Sequence, residues 1–391
     1  VLPLVAAVRA DPRARALLLF PTKALAHDQL ASLSAFADAA CPHLLAAAFD
    51  GDTPMVDRPQ LRRKCHAFLT NPDILHSTVL PKHSEWADVL ANLKVIAVDE
   101  CHAYRGVFGS HVALVLRRLR RLCAFYGSHP TIVCCSATIA NPREHASALT
   151  GVASADLAVV DADGGARGPR SLALWNPPPL APSGVLEWHE GLPPGGAARR
   201  HSAVGEAARL LAACAAHGIR TLAFVRTRAL AELLLERARD LIDDPALKKR
   251  LASYRAGYRA DERREIERAL ASGELLCVVA TNALELGVDI GHLDATIHLG
   301  YPGSVASLRQ QMGRAGRSGR PSVALLIAQD SPLEQHFVAR PAALIDRPLE
   351  HAAIAPRNPT LLRQHLAAAA HEQPLRLPPP ATAAAAAESP E

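Results

Sequence analysis

Short, almost wholly apolar runs recur along the chain, at residues 16–20, 95–98, 131–135, 221–225, 276–280, 295–299 and 322–328. Hydrophobicity that is continuous rather than alternating marks strands covered on both faces. Between the runs lie stretches with helical spacing. Residues 25–36 place Leu30, Leu33 and Phe36 on one side, and residues 111–122 place Leu114, Leu119 and Leu122 opposite an Arg-rich face. Strand alternating with helix predicts doubly wound α/β domains, each a mostly parallel sheet with helices on both faces. The runs form two groups, separated by a Gly-, Pro- and Arg-rich stretch that includes residues 163–169 and Pro177-Pro-Pro179. The expected organisation is a first domain over 1–151, a linker over 152–202 and a second domain over 203–350. Residues 351–391 drift into an Ala/Pro-rich tail that buries too little apolar surface to stay ordered, although 360–371 has the spacing of one helix.

Composition changes this picture little. A length of 391 residues suits two domains, each with its own core. A net charge of +5 is compatible with a polyanionic partner, and 4% aromatic residues leave few rings for base stacking. The excess of Arg over Lys is equally the mark of a GC-rich genome. The 8 Cys are scattered without a Cys-x-x-Cys pair, which favours a reducing compartment and no zinc site. No apolar stretch reaches the ~18 residues of a membrane span, and no cleavable signal is visible, so no membrane partner is expected. Val1 is not an initiator Met, and the expectation is a fragment of a longer protein.

Candidate chemistry begins at Val95-Ile-Ala-Val-Asp-Glu-Cys-His102, an apolar strand ending in two adjacent carboxylates. At the C-terminal edge of a parallel strand such side chains face the crevice where ligands bind. Asp99 suits Mg²⁺, usually through water, and Glu100 suits the orientation or deprotonation of an attacking water in phosphoryl transfer. The same pair is also what a strand end capping the next helix looks like. Ser136 and Thr138, after the next strand, are either a switch that senses a nucleotide or ordinary turn residues. Arg314 and Arg317, three apart in Gln310-Gln-Met-Gly-Arg-Ala-Gly-Arg317, would share one helical face and suit neutralisation of a transferring phosphoryl group. The competing reading is a solvated basic helix. After another strand, Ala280-Thr-Asn-Ala-Leu-Glu-Leu-Gly-Val-Asp-Ile290 offers Thr281 at a helix start and Gly287 and Asp289 in a turn, an edge that binds phosphates well.

In order, Phe20-Pro-Thr-Lys-Ala-Leu25, Asp50-Gly-Asp-Thr53, Thr70-Asn-Pro-Asp73, Asp99-Glu-Cys-His102, Ser136-Ala-Thr138, Phe224-Val-Arg-Thr227, residues 281–290 and Gln310–Arg317 resemble superfamily 2 helicase motifs Ia, Ib, Ic, II, III, IV, V and VI. The resemblance spans about Leu17 to Ala328. Asp-Glu-Cys-His, the Asp50-Gly-Asp-Thr-Pro54 box, Leu174-Trp-Asn-Pro-Pro178 and Tyr254-Arg-Ala-Gly-Tyr258 are together similar to the RecQ-like repair helicases, whose motor precedes a zinc-binding module. Motif II departs from Asp-Glu-Ala-Asp and motif VI opens with Gln310 rather than His, against a DEAD-box RNA helicase.

The resemblance implies two tandem RecA-like domains, ATP and Mg²⁺ as cofactors, and single-stranded or duplex DNA as partner, with movement 3′ to 5′ in repair. It further implies a nuclear protein if the source is eukaryotic and a cytoplasmic one if bacterial. Asp99 and Glu100 would be the metal-binding and water-activating carboxylates, with His102 coupling them to motif III. Gln310, Arg314 and Arg317 would reach the γ-phosphate, and Gly287, Asp289, Ser136 and Thr138 would lie near the nucleotide. Pro21, Thr22, Lys23, Gly51, Asp52, Thr70, Asn71 and Pro72, with Arg226, Thr227, Thr281 and Asn282, would line a channel for one strand's sugar-phosphate backbone. Motif I is absent, since no Lys in the sequence follows a Gly. The first domain is therefore expected to be N-terminally truncated, without its P-loop strand and the helix that follows, and the fragment to be inactive in hydrolysis. A non-hydrolysing nucleic-acid-binding fragment and an RNA helicase are the alternatives.

Overall fold

The computed structural model describes residues 1–162, 164–165, 168–180, 200–255, 257–286 and 290–375. The chain divides into two compact units, Val1–Ser136 with Asn141–Val159 and the residues from Ala352 onward, and Ala137–Ala140 with Val160–His351.

The first unit is built on five parallel strands: β1 (Arg15–Leu19), β2 (Ala46–Ala48), β3 (Ala67–Thr70), β4 (Leu93–Val98) and β5 (Thr131–Cys134), in the order β2-β3-β1-β4-β5. Leu19 is in register with both Thr70 and Val98, so the strands that carry motifs Ia, Ic and II end on one edge. Alternate residues feed two separate cores. Leu17, Leu19 and Phe68 pack with Trp86, Leu116 and Leu119 on one face, whereas Ala16, Ala67 and Leu69 pack with Val8, Leu25 and Leu33 on the other. Both faces are thus covered, which is why these strands read as unbroken apolar runs.

A helix over Leu2–Ala10 precedes β1 and buries Leu4, Val5 and Val8 against the sheet. The expectation of no helix ahead of β1 is therefore corrected: the apolar positions lie one helical turn apart, and Pro3 occupies the first turn, where its missing N–H costs nothing.

The second unit has six parallel strands: β6 (Arg170–Trp175), β7 (Thr221–Phe224), β8 (Leu251–Tyr254), β9 (Cys277–Ala280), β10 (Ala295–Leu299) and β11 (Ser322–Ile327), in the order β6-β11-β10-β7-β9-β8. Strand β6 lies inside the expected linker, yet it pairs with β11 over its whole length and so belongs to the second sheet.

Within the Ala/Pro-rich tail, the helical spacing over 360–371 does form one helix, Pro359–Glu372. Asn358 caps the helix Pro359–Glu372 by accepting from the amides of Thr360 and Leu361, and His365, Ala369 and Glu372 are buried. That helix packs on Gly106–Phe125 of the first unit, where Arg118 makes a two-pronged ion pair with Glu372. The remainder of the expected tail, from 376, lies outside the described residues.

Candidate nucleotide and nucleic-acid edges

In the first unit the chemistry gathers where β1 to β5 end. The Asp99 amide donates to Leu19 O at 2.9 Å, prolonging the ladder by one residue beyond β4. Asp99 Oδ1 accepts the Glu100 amide at 3.0 Å, and burial holds the Asp99 carboxyl above its ordinary range. Glu100 has φ +47°, the left-handed region, and is the one non-glycine residue with positive φ among the described residues. Such a backbone is unfavourable for a side chain and recurs at functional sites. Here it turns the chain sharply after Asp99, into a short 3₁₀ turn over Cys101–Ala103.

His102 joins motif II to motif III. Its Nδ1 lies 3.0 Å from Ser136 Oγ and 3.5 Å from Glu100 Oε2. Burial, with the nearby Arg105 charge, lowers its pKa to about 4, so the ring is neutral at physiological pH. Thr138 lies in the second unit and is buried.

Two neighbours escaped the sequence reading. Tyr104 is fully buried with no hydrogen-bond partner for its hydroxyl; burial and the Asp99 charge both push its pKa up. His145, also buried, places Nε2 2.9 Å from Cys101 O and so steadies the turn from a separate helix, Pro142–Thr150. One signal was available, since Tyr104 is an aromatic residue beside motif II in an aromatic-poor chain.

Motifs Ia, Ib and Ic converge on the same edge. Thr22 caps the helix Lys23–Ala40, accepting from the Leu25 amide, and Pro21 precedes it. Lys23 Nζ pairs with Asp52 at 2.9 Å, and a Cβ added to Gly51 would sit 3.3 Å from the same ammonium. Asp50 is buried, with one carboxylate oxygen accepting the Asp52 amide at 2.8 Å and the other 3.0 Å from His27 Nε2. Thr70 closes β3, its buried hydroxyl without a hydrogen-bond partner, and its carbonyl accepts the Phe20 amide. Asn71 caps the turn that contains Pro72, accepting from the Ile74 amide at 3.0 Å.

In the second unit, Arg226 follows β7, donates to Tyr301 O and lies 3.9 Å from Glu334, while Thr227 caps the helix Arg228–Asp240. Thr281 is buried at the start of a 3₁₀ turn, Asn282 is exposed beside it, and Gly287 and Asp289 lie outside the described residues.

Motif VI requires a correction. Its helix, Val305–Met312, ends before either arginine, so Arg314 and Arg317 do not share a helical face. Gln310 is half-buried in the last turn, Arg314 is buried and donates to Glu285 O, and Arg317 begins a separate 3₁₀ turn. The cause is Gly316, at φ +72°, where an added Cβ would meet Ser322 Oγ at 2.4 Å. We expect Gly316→Ala to cost about 1–3 kcal/mol of unfolding free energy, read from urea denaturation; an unchanged midpoint would contradict this geometry.

Behind motif VI lies a buried polar chain. Gln311 donates from Nε2 to Glu285 Oε2 at 3.1 Å, which fixes its amide so that Oε1 accepts from His298 Nδ1 at 3.0 Å. His298 Nε2 then accepts from Thr296 Oγ1, and the ring stacks on Phe224. Burial lowers the His298 pKa to about 4. An unfolded histidine titrates near 6.5, so between these values the unfolded chain binds the extra proton. The stability from this site is complete above about pH 6.5 and is lost as pH falls toward about 4. Urea midpoints should therefore fall more on acidification for the parent chain than for His298→Gln, and parallel falls would refute the assignment.

Comparison with known families identifies both parts of the chain. Residues 1–145 match the DEAD/DEAH box helicase model, and 205–319 match the helicase conserved C-terminal domain. The chain belongs to the superfamily 2 helicases, with both RecA-like domains of their motor. Its relatives place it close to the RecQ-like branch. It is 43% identical to the uncharacterised ATP-dependent helicase YprA of Bacillus subtilis, across 96% of this chain and 48% of that protein. It is 38% identical to the ATP-dependent helicase HRQ1 of Saccharomyces cerevisiae, across 93% of this chain and 34% of that one. The DUF1998 helicase MrfA bound to DNA superposes with a TM-score of 0.88 at 42% identity, covering 96% of this chain and 48% of MrfA; another MrfA structure holds DNA and AMPPNP. The chain thus spans half or less of the length of these relatives. No helix among the described residues is long and apolar enough to cross a membrane.

Proposed function

We propose that these two units are the motor of an ATP-dependent DNA helicase that moves 3′ to 5′ in DNA repair. The observation that carries this reading is the turn after β4, which places Asp99, Glu100 and His102 beside Ser136, on the edge shared with Lys23, Gly51 and Thr70. Asp99 offers a half-buried carboxylate with no cation paired to it among the described residues, a fit for Mg²⁺ held through water. That ion, when bound with ATP, neutralises charge on the phosphates. Glu100 orients the attacking water, and the neutral His102 carries the state of that carboxylate to Ser136. Arg314 and Arg317 stabilise charge on the transferring group, from the separate positions that Gly316 imposes. Lys23, Gly51, Asp52, Thr70, Asn71 and Pro72 hold the sugar-phosphate backbone, together with Arg226, Thr227, Thr281 and Asn282. Contacts of this kind set grip and register but read no sequence.

DNA-stimulated ATP hydrolysis tests the proposal. The 391 residues contain no Gly-Lys pair, so the assay compares this chain with one extended upstream by a Gly-Lys-Ser/Thr loop segment. Activity in the extended protein, stimulated by DNA more than by RNA, supports the reading. Stimulation by RNA alone turns it to an RNA helicase. Strand binding without hydrolysis in either protein leaves a binding module.

A further inference from the structure

The loop after β2 is firmly built and yet displays apolar side chains to solvent. Two consecutive turns form it, closed by the Thr53 amide on Asp50 O at 3.2 Å and the Asp57 amide on Pro54 O at 3.1 Å. Arg58 ties them down, donating to Thr53 O at 3.1 Å and Asp50 O at 3.2 Å while its guanidinium lies over the Phe49 ring. Met55 and Val56 occupy the two central positions of the second turn and are 68% and 83% exposed.

Single exposed apolar residues are ordinary. Two in succession at the tip of one turn are less so, because they present adjoining apolar surface to solvent. An apolar tip held out on a tied-down backbone points to a contact made outside the chain.

The place of the loop says which contact. It leaves the same sheet edge as Lys23 and Thr70, and the short helix that follows, Arg58–Lys64, is basic at Arg58, Arg62, Arg63 and Lys64 without an acidic residue. The rings at this edge, Phe20 and Phe49, are buried. A strand gripped by its phosphates along Lys23, Gly51 and Thr70 therefore meets an apolar tip beside the two buried rings Phe20 and Phe49. Apolar wedges that include Met and Pro are used against base steps in other proteins.

We propose that Met55 and Val56 form a sequence-tolerant contact with the bases of the single strand whose backbone lies along Lys23, Gly51 and Thr70. This rests on the nucleic-acid reading given under Proposed function. The backbone of the tip is tied down beforehand, so contact has only the two side chains to order.

The test is fluorescence anisotropy of this chain with a labelled oligothymidylate and with an abasic strand of equal length. Met55→Ser combined with Val56→Ser should weaken oligothymidylate binding roughly five- to tenfold. Binding of the abasic strand, and the slope of affinity against salt, should not change, because no phosphate contact is lost. Lys23→Ala, by contrast, should weaken both strands alike and reduce that slope. Unchanged oligothymidylate affinity in the double variant overturns the proposal and leaves the tip to another partner, such as a protein. Equal losses on both strands also overturn it, by making the effect structural or electrostatic. If the parent chain binds neither strand, the nucleic-acid reading falls first and this contact with it.

Discussion

Glu100→Gln, in a protein extended by the Gly-Lys-Ser/Thr loop, lowers strand-stimulated ATP hydrolysis by roughly 10²–10⁴-fold, the usual contribution of one positioned acid or base. The amide keeps the size and hydrogen-bonding reach of the carboxylate, so the left-handed turn at φ +47° survives. What it loses is the charge that orients and accepts a proton from water. Affinity for a non-hydrolysable nucleotide and for single-stranded DNA should stay within about twofold of the parent, because Asp99, Lys23 and Thr70 are untouched. Phosphate release measured at saturating nucleotide separates the two effects. Hydrolysis retained at the parent rate would remove Glu100 from the chemistry and reduce motif II to a strand end with a cap. Asp99→Asn should differ by raising the Mg²⁺ concentration needed for half-maximal activity as well as lowering the rate, since a neutral amide is a poorer ligand for a hard cation.

That contrast also shows which parts of the site were legible in the amino-acid sequence. Strands β1, β4, β5, β7, β9 and β11 each carry four or more successive apolar or small residues and β10 is interrupted only by His298; for the strands inside a sheet, cover on both faces writes that signature directly. Strand β2 is three alanines, β3 is four residues after a basic helix, and β8 is four residues ending at Tyr254. Strand β6 opens on the polar pair Arg170 and Ser171 and has no buried residue, so it reads as linker.

At the site, motif II was legible because a strand end and two carboxylates are adjacent in sequence. The arginines of motif VI were misplaced for the converse reason. Spacing of three fits a helix and also fits two turns separated by a left-handed glycine, and only the close approach of Gly316 to Ser322 decides between them. The chain Glu285, Gln311, His298, Thr296 is invisible in sequence, because each member is an ordinary polar residue until the sheet brings all four together.

The helix Pro359–Glu372 supplies the second large effect. Arg118 and Glu372 lie 254 residues apart in sequence, with side chains only 5% and 1% exposed. A buried pair of this kind adds little over an apolar pair, since desolvation offsets much of the attraction, but removal of one partner strands a charge. The other side chains that Arg118 meets among the described residues are two histidines. Arg118 Nη1 reaches His76 Nδ1 at 2.9 Å and His365 Nδ1 at 3.2 Å, and burial with the Arg118 charge lowers the pKa of both rings, His365 to about 4. Glu372→Ala should therefore cost about 3–5 kcal/mol, a large part of the stability of a typical domain. The double replacement Arg118→Met with Glu372→Leu should recover most of that loss, because it removes both charges and keeps the volume. Urea denaturation of the parent, the single and the double variant closes the comparison. A loss under about 1 kcal/mol in Glu372→Ala would mean that the guanidinium finds water on release, and that the helix is held by Ala369 and its apolar neighbours rather than by the ion pair.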